Sequence, residues 1–407
     1  MLTRWLPTVS KPFRLAPYLA LLSLSYLSLG VTIPAMSLIV ISKGFSLSRL
    51  SLAMIVFSLS VMAFEVPSGI YADAKGRRKS FALGLVLSLI GTLLLFSSSF
   101  LLLCAGFACT GIGRAYASGS LDALMIERGQ RAGKKLEDIV FALDVNSGIS
   151  LSVGSLLGGL LLSLGAQLDN LTSLVLLVRV FLVALSLLLL FLLIPKETQT
   201  PEEAFTFKAQ ANALVSALSS SPFLLAFSLS VLVQGVLLAS LEGYWQPYLK
   251  QLLVSDSQLW ILGLISASVF AVSVLGSMMG KRLLSHMRPP LVYCLAFAGI
   301  FALQLMLSRS HTIIQFLLFY ELIYLLLGVV SVVGMYLLNK KASDAVRTSL
   351  VSVSSFCLQT GGLLANLLAT VVFLGGGISR YWVITALGGL GMISILSVWL
   401  LQRTPRT

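Results

Sequence analysis

Charge is what this sequence has least of: 11% of its 407 residues are Asp, Glu, Lys or Arg, against 57% that are hydrophobic. A soluble domain of this size carries roughly a quarter charged residues, so a soluble fold is excluded and an integral membrane protein is indicated. Histidine is nearly absent. His286 and His311 stand alone in expected loops, which leaves no zinc site and no His-based nucleophile. The four cysteines, Cys104, Cys109, Cys294 and Cys357, show no paired spacing and read as packing residues. No G-x-x-x-x-G-K-[ST] loop occurs, and "GSMMGKR" at 276–282 is one residue short and lacks the hydroxyl, so ATP-driven pumping is excluded. No enzyme chemistry, metal site or cofactor is expected.

What is present is a series of apolar runs. A membrane helix needs about 20 such residues, and twelve runs qualify: near 15–40, 49–72, 80–99, 101–126, 139–164, 172–194, 222–242, 259–280, 290–308, 312–338, 348–374 and 381–401. They are too long, and too uniformly apolar, for the strands of an outer-membrane barrel. The expected fold is therefore all-α with twelve transmembrane helices. The first run follows Arg4, Lys11 and Arg14 without a small-residue cleavage site and reads as an uncleaved helix.

An even helix number puts both termini on one side. Apart from Lys43, Arg49, Lys250, Arg309 and Arg380, and Arg114 and Arg179 within helices, every Lys and Arg falls on that side. The positive-inside rule makes it cytoplasmic, in a cytoplasmic (inner) membrane. The cations lie in patches between apolar runs, so no nucleic acid is expected as partner. Residues 195–222 form the longest polar stretch, and Thr200, Pro201 and Glu203 match a capped helix start. The chain accordingly divides into a six-helix half at 1–194, a cytoplasmic linker with a short amphipathic helix at 195–221, and a six-helix half at 222–407. Such halves rock about a central site.

"GIYADAKGRRKS", residues 69–80, joins the second and third helices. Gly69, Asp73, Gly76, Arg77, Arg78 and Lys79 follow the G-x-x-x-D-x-x-G-R-[KR] pattern. With twelve helices and a central linker, the chain resembles the major facilitator superfamily, and within it the twelve-helix drug:proton antiporters. Tyr71 and Ala74 stand where that family has leucine and arginine. The resemblance implies a conformational latch made by Gly69, Asp73, Gly76, Arg77, Arg78 and Glu127, with Asp73 set against the start of helix eleven. The residues themselves suggest close helix approach at Gly69, a turn at Gly76 and pairing of Asp73 with Arg77. "GSMMGKRL" at 276–283 is a remnant with Gly280 in place of the acid. "GSLLGG" at 154–159 resembles a segment of the superfamily's exporters, with Ser155 in place of proline, and close helix packing is its other reading.

Ionisable groups at membrane depth are functional candidates. Glu321, about nine residues or roughly 13 Å into helix ten, is the first candidate proton carrier, with Asp144, Glu65 and Asp122 behind it. Arg114, Ser118 and Asp122 are expected to form one stripe on helix four. Arg114 is expected either to serve the proton or substrate path or to pair with an acid on a neighbouring helix. Tyr26, Tyr116, Tyr320, Tyr324, Trp245 and Gln246 are the other substrate-binding candidates. Arg179 is expected to snorkel, and Tyr18 and Trp382 to sit in the interfacial belt. The expected function is proton-coupled export of amphipathic small molecules of the multidrug type by a single chain in the bilayer. Alternatives are a carrier for one anionic metabolite, or a lipid flippase on the same scaffold.

Overall fold

The computed structural model describes residues 15–168, 170–195, 197, 222–341 and 344–402, of which 341, 344–352 and 402 as backbone only. The expected linker helix lies outside the described residues. Within them there are helices and no strand: α1 (Ala16–Thr32), α2 (Leu38–Ile41), α3 (Leu47–Lys75), α4 (Arg77–Leu94), α5 (Phe100–Ala117), α6 (Ser120–Arg131), α7 (Leu136–Gln167), α8 (Ser173–Leu193), α9 (Pro222–Glu242), α10 (Trp245–Leu252), α11 (Trp260–Leu284), α12 (Pro289–Leu307), α13 (Ile313–Lys341), α14 (Asp344–Val372) and α15 (Ile378–Gln402). Among the described residues eleven helical spans are long and apolar enough to cross a membrane. The third expected run falls on α4, whose 18 residues open on Arg-Arg-Lys and which is not among those eleven.

Packing repeats between the two sets of six spans. In the first, α1 packs on α7 and α8, α5 on α3 and α4, and α4 on α8. In the second, α9 packs on α14 and α15, α13 on α11 and α12, and α12 on α15. Each contact in one set has its counterpart at the equivalent place in the other, as in parallel repeats about an axis along the membrane normal. Across the sets, α7 meets α11 and α3 meets α14.

Three spans are interrupted. After α1, Pro34 lies in a short 3-10 turn, Ile33–Ala35. The fourth span breaks between α5 and α6, where Gly119 takes φ +68°. Backbone groups freed at membrane depth must be satisfied internally, and the Ser80 and Ser120 hydroxyls donate to Tyr116 O at 2.8 and 2.7 Å. The seventh span breaks at Gly243, between α9 and α10. The expected stripe through Arg114, Ser118 and Asp122 therefore does not form: Arg114 belongs to α5, Ser118 ends it, and Asp122 lies in the first turn of α6.

The two sets close on one another at the face opposite the chain ends. Ser37 Oγ donates to Gln246 Oε1 at 2.7 Å, and Gln246 Nε2 donates to Ile33 O at 2.9 Å. Tyr244 Oη donates to Ser51 Oγ at 2.9 Å, and Trp260 N to Ser163 Oγ at 2.8 Å. Glycine makes this approach possible. A Cβ on Gly159 would lie 2.6 Å from Gly263 Cα, and one on Gly154 would lie 2.6 Å from Leu27 O. Thus Gly154, Gly158 and Gly159 are used for packing α7 against α1 and α11. Toward the face of the chain ends the helices diverge: Gly148 on α7 and Gly69 on α3 have nothing within 4 Å of an added Cβ. The close approach expected at Gly69 is absent here.

Candidate functional site

The loop between α3 and α4 has a chemical problem to solve. Helix α4 begins at Gly76, which has no side chain to cap it, and its first turn carries no acid. Its orphaned N–H groups find Glu197, just past α8: Arg77 N and Arg78 N donate to Glu197 Oε2 and Oε1, each at 2.8 Å. A carboxylate suits the positive end of a helix. Gly76 takes φ +98°, and a Cβ there would lie 2.6 Å from Glu197 Oε2. Glycine is required both for the turn and for the approach of the acid.

Arg77 Nη1 pairs with Glu127 at 3.2 Å, and Glu127 also accepts from Arg131 at 2.6 Å. Glu127 thus joins the cluster as expected, but the expected Asp73–Arg77 pair is absent, because Glu127 takes the guanidinium. Asp73 is exposed and makes no ion pair among the described residues. The side chains at the start of α14, its expected latch partner, lie outside the described residues. Arg78 reaches Phe191, donating to its carbonyl at 3.3 Å and lying 5.2 Å over its ring. In the remnant motif of α11, Gly276 packs against the backbone of Leu325 and Gly280 against Val329, so that segment is a helix contact.

Deeper in the molecule, acids and tyrosines gather between the two sets of helices. On the first set, Tyr26 Oη lies 3.5 Å from both carboxylate oxygens of Asp122, and exposed Asp144 acts electrostatically on the same tyrosine. On the second, Tyr320 Oη donates to Tyr324 Oη, and Tyr324 Oη to Glu242 Oε1, both at 3.4 Å. Glu321 Oε1 lies 2.5 Å from Ser268 Oγ of α11, while Glu321 Oε2 is buried without a partner among the described residues. Glu65 Oε1 accepts from Ser355 Oγ at 3.0 Å and so bonds across the sets. Arg114 is exposed, lies 6.0 Å over the Phe57 ring, and has no ion pair among the described residues. Arg114 and Glu242 lie within electrostatic reach of each other. Ser118 is exposed at the helix break, and Tyr116 packs its ring on Phe64 and Tyr71.

Several side chains sit where the sequence did not put them. Trp245 and Gln246, each 2% exposed, are buried in the seam between the sets, and Trp245 packs on the equally buried Tyr320 at 5.4 Å between ring centroids. These three are contacts of the closed end in this conformation. Arg179 does not snorkel: it is 4% exposed and donates to Thr32 Oγ1 at 3.1 Å, where α1 ends. Neither Tyr18 nor Trp382 sits in a belt. Tyr18 accepts from Arg128 at 2.5 Å, and Trp382 Nε1 donates to Ser240 O at 2.7 Å.

Glu197 was missed, although an uncapped helix start rich in cations is a signal that an acid must come from elsewhere. Glu242, at the end of the seventh apolar run, is not among the candidates that the sequence offered. Among the described residues no group of His, Cys, Asp and Glu is arranged to hold a metal ion.

Comparison with known proteins agrees with this arrangement. The fold is similar to that of the nucleoside transporter NupG, with a TM-score of 0.80 at 14% identity over 96% of this chain and 99% of that one. It is also similar to an auto-inhibited POT family peptide transporter, at 0.73 and 12% identity over 97% of each chain. A third similar structure is a bacterial homologue of the human lysosomal transporter Spinster, inward-facing and unoccupied, at 0.67 and 15% identity over 96% and 95%. No curated protein matches the chain significantly. The family model of the Major Facilitator Superfamily matches residues 18–308, and the chain belongs to that superfamily of membrane transporters.

Proposed function

We propose that the chain is a proton-coupled secondary transporter that exports amphipathic small molecules by alternating access. Both termini face the cytoplasm in this reading, on the positive-inside argument, so the conformation described is closed outward and opens inward.

One observation carries the proton. Ser268 Oγ lies 3.0 Å from Ile265 O and 2.5 Å from Glu321 Oε1. A hydroxyl has a single hydrogen to give. If it goes to Ile265 O, the hydrogen shared with Glu321 comes from the carboxyl group, which is then neutral. Neutrality also accounts for the buried, unpartnered Glu321 Oε2, since an unpaired carbonyl oxygen costs far less there than a bare charge. Rotation of the two sets to open the other face exposes this acid to different water, and the proton leaves on that side.

The test is efflux of a cationic dye from cells or inverted vesicles, with and without an uncoupler. Wild type exports in an uncoupler-sensitive way; Glu321→Gln, at equal expression, loses the dependence on the proton gradient. Gradient-driven export by Glu321→Gln at the wild-type rate would remove Glu321 from the role.

A second reading, a carrier for one anionic metabolite, is favoured by Arg114, exposed and without an ion pair among the described residues. Nucleosides and peptides, the cargo of two proteins similar in fold, are likewise small polar molecules. On this reading Arg114→Ala abolishes binding of one acid, and dyes are not moved.

A further inference from the structure

We infer that an anionic phospholipid docks between α11 and α12 on the face of the chain ends, with an acyl chain in the crevice there and its headgroup on Arg282 and Arg288. The lipid is a bound partner of the second half, and its site stands apart from the transport reading.

Helices α11 and α12 both pack on α13 and touch one another little, which leaves a gap between them with α13 as its floor. The gap is a cavity of about 170 Å3 lined by Met279, Leu283 and Met287 from α11 and the loop after it, Val292 and Leu295 from α12, and Leu326 from α13. All of these side chains are apolar. Leu295 and Met287 are exposed, so the cavity opens on the outer surface of the helices. Leu295 is six residues beyond Pro289 and so about 9 Å into α12. That is a depth for the upper part of an acyl chain, and the unbranched methionine side chains adapt to a flexible occupant.

The mouth of the cavity is cationic. Arg282 adjoins Leu283 and lies three residues from Met279, and α12 starts directly after Arg288, four residues before Val292. Both arginines are exposed, as is Lys281, and none of these cations makes an ion pair among the described residues. The sequence supplies no acid beside them: between Asp256 and Glu321 there is neither Asp nor Glu. The equivalent loop of the first half is built differently. There Arg77 meets Glu127 and Glu197 caps α4, whereas α12 opens on Pro289 and Pro290 with no acid in its first turn. Orientation in the membrane needs cations, but it needs no apolar cavity beneath them. Cations at an interhelical gap, with apolar walls below and no acid of the chain to neutralise them, are complementary to an anionic headgroup with its chain attached.

The test is native mass spectrometry of the purified full chain with an equimolar mixture of dioleoyl phosphatidylglycerol and dioleoyl phosphatidylcholine, which carry the same chains. Wild type is expected to retain phosphatidylglycerol about tenfold or more over phosphatidylcholine, since each cation near an anionic headgroup contributes about fivefold. Arg282→Gln/Arg288→Gln loses that preference, and Arg282→Lys/Arg288→Lys keeps most of it. Lys134→Gln/Lys135→Gln, which removes two exposed cations from the same face of the first half, leaves it unchanged. The melting temperature of each variant shows it folded. Equal retention of the two lipids by wild type, or an equal loss of preference in both neutralised variants, overturns the inference. So does displacement of the lipid by free glycerol phosphate, which makes the site one for a soluble anion, or a dimer peak in place of bound lipid, which makes a second copy the occupant.

Discussion

The two ends of the interface between the halves are made of different chemistry. At the closed end, Ser37, Gln246, Tyr244, Ser51, Ser163 and the Gly159–Gly263 contact join the halves through neutral hydrogen bonds and bare backbone. At the end that carries the chain termini the groups are ionic, and the ionic contacts described there lie within the first half: Arg77 with Glu127, Glu127 with Arg131, Glu197 on the start of α4; near the closed end an ion pair, Lys250 with Asp256, lies within the second half and does not join the two. The difference has a physical rationale. On the alternating-access reading proposed above, a seam that parts and reforms works best when parting it strands no buried charge, because an uncompensated ion costs several kcal/mol while an unmade neutral hydrogen bond is recovered by water. Ionic contacts serve better where they fix one half as a rigid body.

The largest expected effect comes from forcing the neutral seam. Gly159→Leu places a side chain where a Cβ already lies 2.6 Å from Gly263 Cα. Overpacking costs about 1–3 kcal/mol, enough to shift the balance of conformations by roughly 5- to 150-fold. A cysteine in place of buried Ser37 should then react faster with a membrane-impermeant maleimide. Unchanged reactivity would mean that the seam does not hold the conformation.

Next is the cap. Glu197→Gln removes the charge from two backbone bonds and should lower the stability by about 1 kcal/mol, with a lower melting temperature. Because the contact lies within one half, the reactivity at position 37 should not move. A change there would show that the ionic cluster also governs opening.

The smallest effect is at Glu127, whose pairs are part-exposed. Glu127→Gln should cost less than about 1 kcal/mol, and less at high salt. A loss as large as that of Glu197→Gln would mean that the pairs hold more than one loop.

The fold was legible because apolar length is a coarse signal that no neighbour can override: eleven of the twelve expected runs fall on helices long and apolar enough to cross a membrane, and the remaining one falls on α4, behind its three cations. The breaks were not, since "RAYASGS" is as compatible with a continuous helix as with a turn at Gly119. The candidate residues divide by a similar rule. Glu65, Asp122, Asp144 and Glu321 declare themselves by charge at depth. Whether Trp245, Gln246 and Tyr320 face a cavity or a seam depends on how the two halves rotate against each other, which hydropathy does not encode. Arg179 was misplaced for a related reason, because its partner is one hydroxyl at the end of α1.

The central claim is that the halves pivot about a neutral seam, so that one end opens as the other closes. Pulsed electron–electron double resonance tests it directly, with spin labels at Leu168 and Val254 near the closed end and at Lys135 and His286 near the other, all exposed, after the native cysteines are replaced. Going from wild type to Gly159→Leu, the first distance should lengthen and the second shorten. Two distances that lengthen together, or a closed end that stays shut in the variant, would contradict the account.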